Sequence, residues 1–121
     1  MLKSTIGAVA ALVLLSGAAL ADQMEAAYGN TVVITDGKGA VTKWYGNADG
    51  TWTQTTPAGA TETGTWTMKD PNTACFTMTE PAPGPDYQPN CADVAIKRAV
   101  GDKWVEGEGE AVVNYEIVAG R

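Results

Sequence analysis

The sequence predicts an all-β protein, a small antiparallel eight-stranded up-and-down barrel with one disulfide, and a two-sheet β-sandwich as its alternative. Three observations carry that expectation. Short runs rich in threonine, valine and tryptophan recur between turn residues every eight to twelve positions. Three of the turns, DGKG at 36–39, NADG at 47–50 and TPAG at 56–59, place glycine fourth. Two cysteines, Cys75 and Cys91, flank a proline-rich stretch that a cross-link would close.

The chain opens MLKSTIGAVAALVLLSGAALA, with a cation at Lys3, an apolar run from Ile6 to Leu15 and small residues at Ala19 and Ala21. That pattern predicts a cleaved secretory signal over 1–21, with Asp22 as the new N-terminus. The apolar run is too short to favour a lasting membrane anchor. Export predicts a periplasmic or secreted protein in an oxidising compartment, where Cys75 and Cys91 pair. The enclosed loop, FTMTEPAPGPDYQPN, has fifteen residues, and closing a loop of that length is worth about 3 kcal/mol on the chain-entropy model.

Residues 22–30 form a short lead, either a helical turn or a disordered arm, and 31–121 form the barrel domain. The predicted strands are 31–35, 41–46, 51–56, 61–69, 74–80, 92–97, 103–106 and 111–118. Glycine fourth in a turn suits a type I turn followed by a left-handed residue and a bulge, because that residue needs positive φ. Counting outward from the three turns sets Thr35 opposite Val41, Asn47 opposite Thr51, and Thr56 opposite Ala60.

Those registers collect Val32, Ile34, Thr42, Trp44, Trp52 and Trp66 on one face, because side chains alternate with period two. The other face becomes a threonine ladder over 51–67, joined by Lys43 and Tyr45. Trp52 falls opposite Gly46 and Gly64, which leaves room for its indole over both. The DPNT turn at 70–73 lacks glycine; treated like the others it sets Met68 opposite Phe76 and Trp66 opposite Met78. In EGEGE, a two-residue turn at Glu108 and Gly109 sets Trp104 opposite Val113 and gathers Val113, Tyr115 and Ile117 on one side. About fourteen large side chains then point inward, enough to fill a barrel of this size with a packed core.

The hairpin series WYGNADGTWTQTTPAGATETGTWTMKDPNTACFTM, with its repeated G-T-W phrase, resembles small exported relatives of the lipocalin-like (calycin) barrels. The signal, the mature length, the single disulfide and the late VGDKW are also similar to short exported bacterial proteins of no assigned function. The resemblance spans 28–121. It implies an antiparallel barrel and, from larger lipocalins, small-molecule binding inside it; a smaller branch implies inhibition of secreted metalloproteases. The chain departs from both in its shortness and in its mid-chain disulfide.

Composition narrows the chemistry. There is no histidine, so the usual general base, the Ser-His-Asp arrangement and the common catalytic zinc sites are missing. Loss of Lys3 with the leader leaves seven basic against fourteen acidic residues, a surface that repels nucleic acid and anionic lipid. Glu62 and Glu106 are the acidic residues nearest the inner face. Asp102, Glu106, Glu108 and Glu110 lack the calcium-loop spacing and read as a solvated hairpin tip.

The expectation is therefore a monomeric, non-enzymatic binding module without cofactor or metal. Its contact surface is the disulfide-closed loop 76–90, with Pro83, Pro85, Asp86, Tyr87 and Gln88 meeting an unknown protein partner. Prolines pre-order that loop, and tyrosine suits an interface. The alternatives are a small apolar ligand held by Trp44, Trp52 and Trp66, and inhibition of a secreted protease.

Overall fold

A computed structural model describes residues 23–121; the predicted signal 1–21 and Asp22 lie outside the described residues. Eight antiparallel strands form one sheet: β1 (Thr31–Asp36), β2 (Val41–Gly46), β3 (Thr51–Thr55), β4 (Thr61–Asp70), β5 (Thr73–Glu80), β6 (Asn90–Asp93), β7 (Lys103–Glu106) and β8 (Val113–Val118). The order across the sheet is β6-β5-β4-β3-β2-β1-β8-β7. Each strand thus pairs with its chain neighbour except β6 with β7, and β1 joins β8. The up-and-down order is present in one sheet, not two, and that sheet curls into a half-barrel whose edges are β6 and β7.

The three glycine turns form as their chemistry requires. Gly39, Gly50 and Gly59 have φ of 83°, 88° and 88°. Thr35 pairs with Val41, while the Asn47 amide donates to the Thr51 carbonyl at 2.9 Å and the Thr56 amide to that of Ala60 at 2.8 Å. The resulting ladder sets Thr51, Thr53 and Thr55 against Thr65, Thr63 and Thr61 on the outer face. On the inner face Trp52 pairs with Gly46 on one side and Gly64 on the other.

The two remaining hairpin turns differ from the count while keeping its faces. At 70–73 the Asp70 carboxylate accepts the Asn72 amide at 2.8 Å, so the turn tightens to Pro71 and Asn72 and a bulge follows at Lys69. Trp66 therefore opposes Phe76, and Met68 opposes Ala74, two residues from the predicted partners. At the last hairpin a 3-10 turn at Gly109–Ala111 lengthens the connection, and Trp104 pairs with Tyr115 instead of Val113. Both slips are even-numbered, and an even slip leaves every side chain on its own face.

Cys75 and Cys91 are bonded and sit directly opposite each other on β5 and β6. Beyond Asp93 the chain leaves the ladder early. The Val94 amide donates to the Asn72 carbonyl at 2.8 Å, and the Asp93 carboxylate accepts the Ala95 amide at 2.8 Å. These bonds turn the chain away before residues 94–97 can extend the predicted strand. Residues 94–102 then bridge to β7 without closing the seam.

The lead is a packed 3-10 turn, Glu25–Ala27. Met24 and Ala27 are buried with Val32, Trp44, Trp52, Trp66, Ala74 and Ile117, so the lead belongs to the core of the domain. The Gln23 amide nitrogen donates to the Val94 and Ala95 carbonyls at 2.8 and 2.9 Å. The lead, the turn at 47–50 and the segment 94–102 together close the end of the half-barrel where β1 begins and β8 ends.

Trp52 and Trp66 are anchored in that core through their indole N–H groups. Trp52 Nε1 donates to the Thr65 carbonyl at 2.9 Å and Trp66 Nε1 to the Asn47 carbonyl at 3.0 Å, which satisfies both buried indoles. The Trp52 ring lies over Gly64, whose added Cβ would meet it at 2.5 Å; the surface of Gly46, expected beneath Trp52, is covered by Trp44. Trp52→Ala is expected to cost about 3–5 kcal/mol in urea unfolding; a near-neutral change would mean that the indole does not carry the core.

Candidate functional site

The inward face does not fill the interior. A cavity of about 220 Å³ remains, open to solvent, where the sequence predicts a packed core. The physical reason is the unpaired seam: a closed barrel would draw β6 and β7 together across this space, and the half-barrel leaves them apart. Val94 and Ile96 lie on the bridging segment and line the cavity from there, Val94 packed against the core and Ile96 64% exposed.

The floor is Met24, Ala27, Val32 and Ile117, from the lead and from β1 and β8. The wall is aromatic. Trp44 and Phe76, from β2 and β5, meet edge to face with centroids 5.5 Å apart, a contact that only a curled sheet permits. Trp104 and Tyr115, cross-strand partners on β7 and β8, stack with centroids 5.2 Å apart and planes within 4°. Polar groups mark the open side: Gln54, Asn90, Asp93, Arg98 and Glu106.

Two contacts set the electrostatics of that rim. Trp104 Nε1 donates to Glu106 Oε2 at 3.1 Å, and the Arg98 guanidinium carbon lies 4.2 Å from the Trp104 ring centroid. Burial, and secondarily the Glu106 carboxylate, push the Tyr115 phenol above its ordinary pKa. Glu62, outside the cavity lining, accepts the Gln54 amide at 2.7 Å. The two inner-face carboxylates thus hold different partners, an indole and an amide.

Of the tryptophans predicted to hold a ligand, Trp44 is on the cavity wall, while Trp52 and Trp66 lie outside its lining, packed at the closed end. Trp104, Tyr115 and Arg98 line it without having been picked out from the sequence. Alternation had already put Trp104 and Tyr115 on the inner face; the open seam beside them left no local signal.

In the loop between the cysteines, Pro83 and Tyr87 are partly buried, and Pro85, Asp86 and Gln88 are exposed. The Met78 amide donates to the Tyr87 hydroxyl at 2.7 Å, and that hydroxyl points its own proton at the Phe76 carbonyl, 3.5 Å away. Tyr87 therefore covers the stretch of β5 edge that short β6 leaves unpaired, one way in which sheets blunt an edge. Asp102 and Glu106, considered as oxygen ligands, are committed to the Ala99 amide and the Trp104 indole. Among the described residues no three metal-ligating side chains converge.

Fold and site together define a half-open antiparallel β-barrel with an aromatic, ligand-sized cavity. No protein-family model, curated protein or solved structure matches the chain.

The Tyr115 shift has a definite sign. A phenol whose folded pKa lies above its unfolded value near 10 contributes stability that is complete below pH 10 and lost as pH rises through the folded pKa. In a phenolate absorbance titration, the difference between the parent and Tyr115→Phe is expected to show one late-ionising tyrosine. Glu106→Gln should bring that ionisation to lower pH; an unshifted ordinary phenol in the difference curve would contradict the site geometry.

Proposed function

We propose that the protein is an exported, non-enzymatic binding protein, periplasmic or secreted, that holds one small ligand with an apolar body in the cavity of its half-barrel. The observation that carries this reading is the cavity itself: about 220 Å³, solvent-accessible, with four aromatic side chains on its wall. An apolar cavity of about 150 Å³ is enough to hold benzene, whereas drug-sized sites run from about 300 Å³ upward. The occupant is therefore about the size of one substituted ring. The lipocalin-like resemblance, which implies small-molecule binding inside a barrel, points the same way.

The disulfide suits an oxidising compartment. Among the described residues no helix is long and apolar enough to cross a membrane. The non-enzymatic part rests on the absence of histidine from the chain and on the separate partners that Glu62 and Glu106 hold.

A second reading, a protein partner on the loop 76–90, is favoured by one feature. The disulfide and the Tyr87 hydroxyl fix the loop at both ends and present Pro85, Asp86 and Gln88 outward. Inhibition of a secreted protease is one form this would take. It stands second because Tyr87, the residue best suited to an interface, is already spent on the β5 edge.

Tryptophan emission tests the cavity reading. Benzene, toluene and p-xylene are expected to change the emission saturably, because Trp44 and Trp104 lie on the wall. Ala92→Trp, which extends a ring into the cavity from the edge strand, should abolish the response. A parent protein whose emission none of the three compounds changes would overturn the proposal.

A further inference from the structure

The rim carries a charge pattern that the apolar body of a ligand does not explain. Arg98 is the one basic residue of the cavity lining, and two carboxylates, Asp93 and Glu106, share that lining with it. Yet among the described residues Arg98 makes no ion pair and no hydrogen bond; its guanidinium is held only by the face of Trp104. A cation placed over an indole is the arrangement by which proteins recognise ammonium groups. Arg98 occupies that place from a bridging segment that is not part of either edge strand.

Negative charge also lies at the edge of the indole. Glu106 accepts the Trp104 Nε1 proton at 3.1 Å, which leaves its carboxylate beside the ring and beside Tyr115. Trp104 and Tyr115 stack with nearly parallel rings, and the face of an aromatic ring carries the negative side of its quadrupole. A surplus of acidic over basic residues in the whole chain adds to the same potential. An anionic ligand would have to be seated against Glu106 and Asp93; a cationic one is attracted by both.

We propose that the ligand is an organic ammonium ion with a small apolar body. Its cationic head lies over Trp104 in the place that the Arg98 guanidinium now holds, and Glu106 supplies the counter-charge. Arg98 is then a built-in competitor: it fills the cation position when the cavity is free and swings out as the ligand enters. Asp93, whose carboxylate is engaged with the Ala95 amide, contributes charge at longer range. The inference rests on the cavity reading above and adds the chemical class of its occupant.

The test compares benzyltrimethylammonium with its neutral carbon isostere, neopentylbenzene, by tryptophan emission, using the disulfide-closed parent protein, Arg98→Ala and Glu106→Gln. The parent is expected to bind the ammonium at least tenfold more tightly than the isostere. Arg98→Ala should tighten ammonium binding about threefold, the scale of one exposed cation–π contact. Glu106→Gln keeps an acceptor for the indole proton while removing the charge, so it should erase most of the preference for the ammonium. Equal binding of the two compounds by the parent, or a preference indifferent to Glu106→Gln, overturns the ammonium assignment and leaves the apolar cavity standing. Binding of neither compound overturns both.

Discussion

The packing of the Trp52 indole onto Gly64, between β3 and β4, is the constraint on which the rest of the structure depends. A side chain at 64 would meet both the Trp52 ring and the Thr77 carbonyl, so only glycine lets a tryptophan lie flat against the sheet there. With the ring flat, the inner face of β3 and β4 becomes concave, and the sheet curls around it. The neighbouring pair repeats the device, with the Trp44 ring over Gly46. The same curl brings Trp44 within edge-to-face reach of Phe76, three strands away.

Curling is not closure, and the difference creates the site. At one end the lead seals the half-barrel with Met24 and Ala27. Along the seam, β6 and β7 are four residues each and do not pair. A small domain gains most of its stability from buried apolar area, so an unfilled interior is a cost unless something offsets it. Here the disulfide ties β6 to β5, the Tyr87 hydroxyl satisfies the adjoining edge amide, and Arg98 shields the Trp104 face. Each is a local repair of the open seam, and together they let a chain of this size keep an aromatic cavity.

How much of this was legible in the sequence depends on the range of the interaction. Glycine fourth in a turn is a local requirement, and it set the registers of Thr35, Asn47 and Thr56 correctly. Alternation is nearly as local: it placed Trp104 and Tyr115 on the inner face even where the turn at Gly109–Ala111 displaced their register by two. Asp70 shows the limit, since its carboxylate tightened a turn that carried no glycine to mark it. The seam was beyond reach altogether. Whether β6 meets β7 depends on where the Val94 amide finds an acceptor, and that acceptor, Asn72, is distant in the chain. The expectation of a filled core failed for that reason. Trp44 is the member of the predicted tryptophan set that reaches the cavity; Trp52 and Trp66 build the wall behind it.

Urea unfolding of Gly64→Ala against Gly84→Ala decides whether the glycine beneath Trp52 holds the curl. Gly84 has open space around an added methyl group and no positive φ, whereas Gly64 has an indole and a carbonyl in the way. Gly64→Ala is expected to lose about 1–3 kcal/mol, the usual cost of overpacking, while Gly84→Ala stays close to the parent. Equal stability of the two variants would contradict it, because the indole could then sit elsewhere without consequence for the fold.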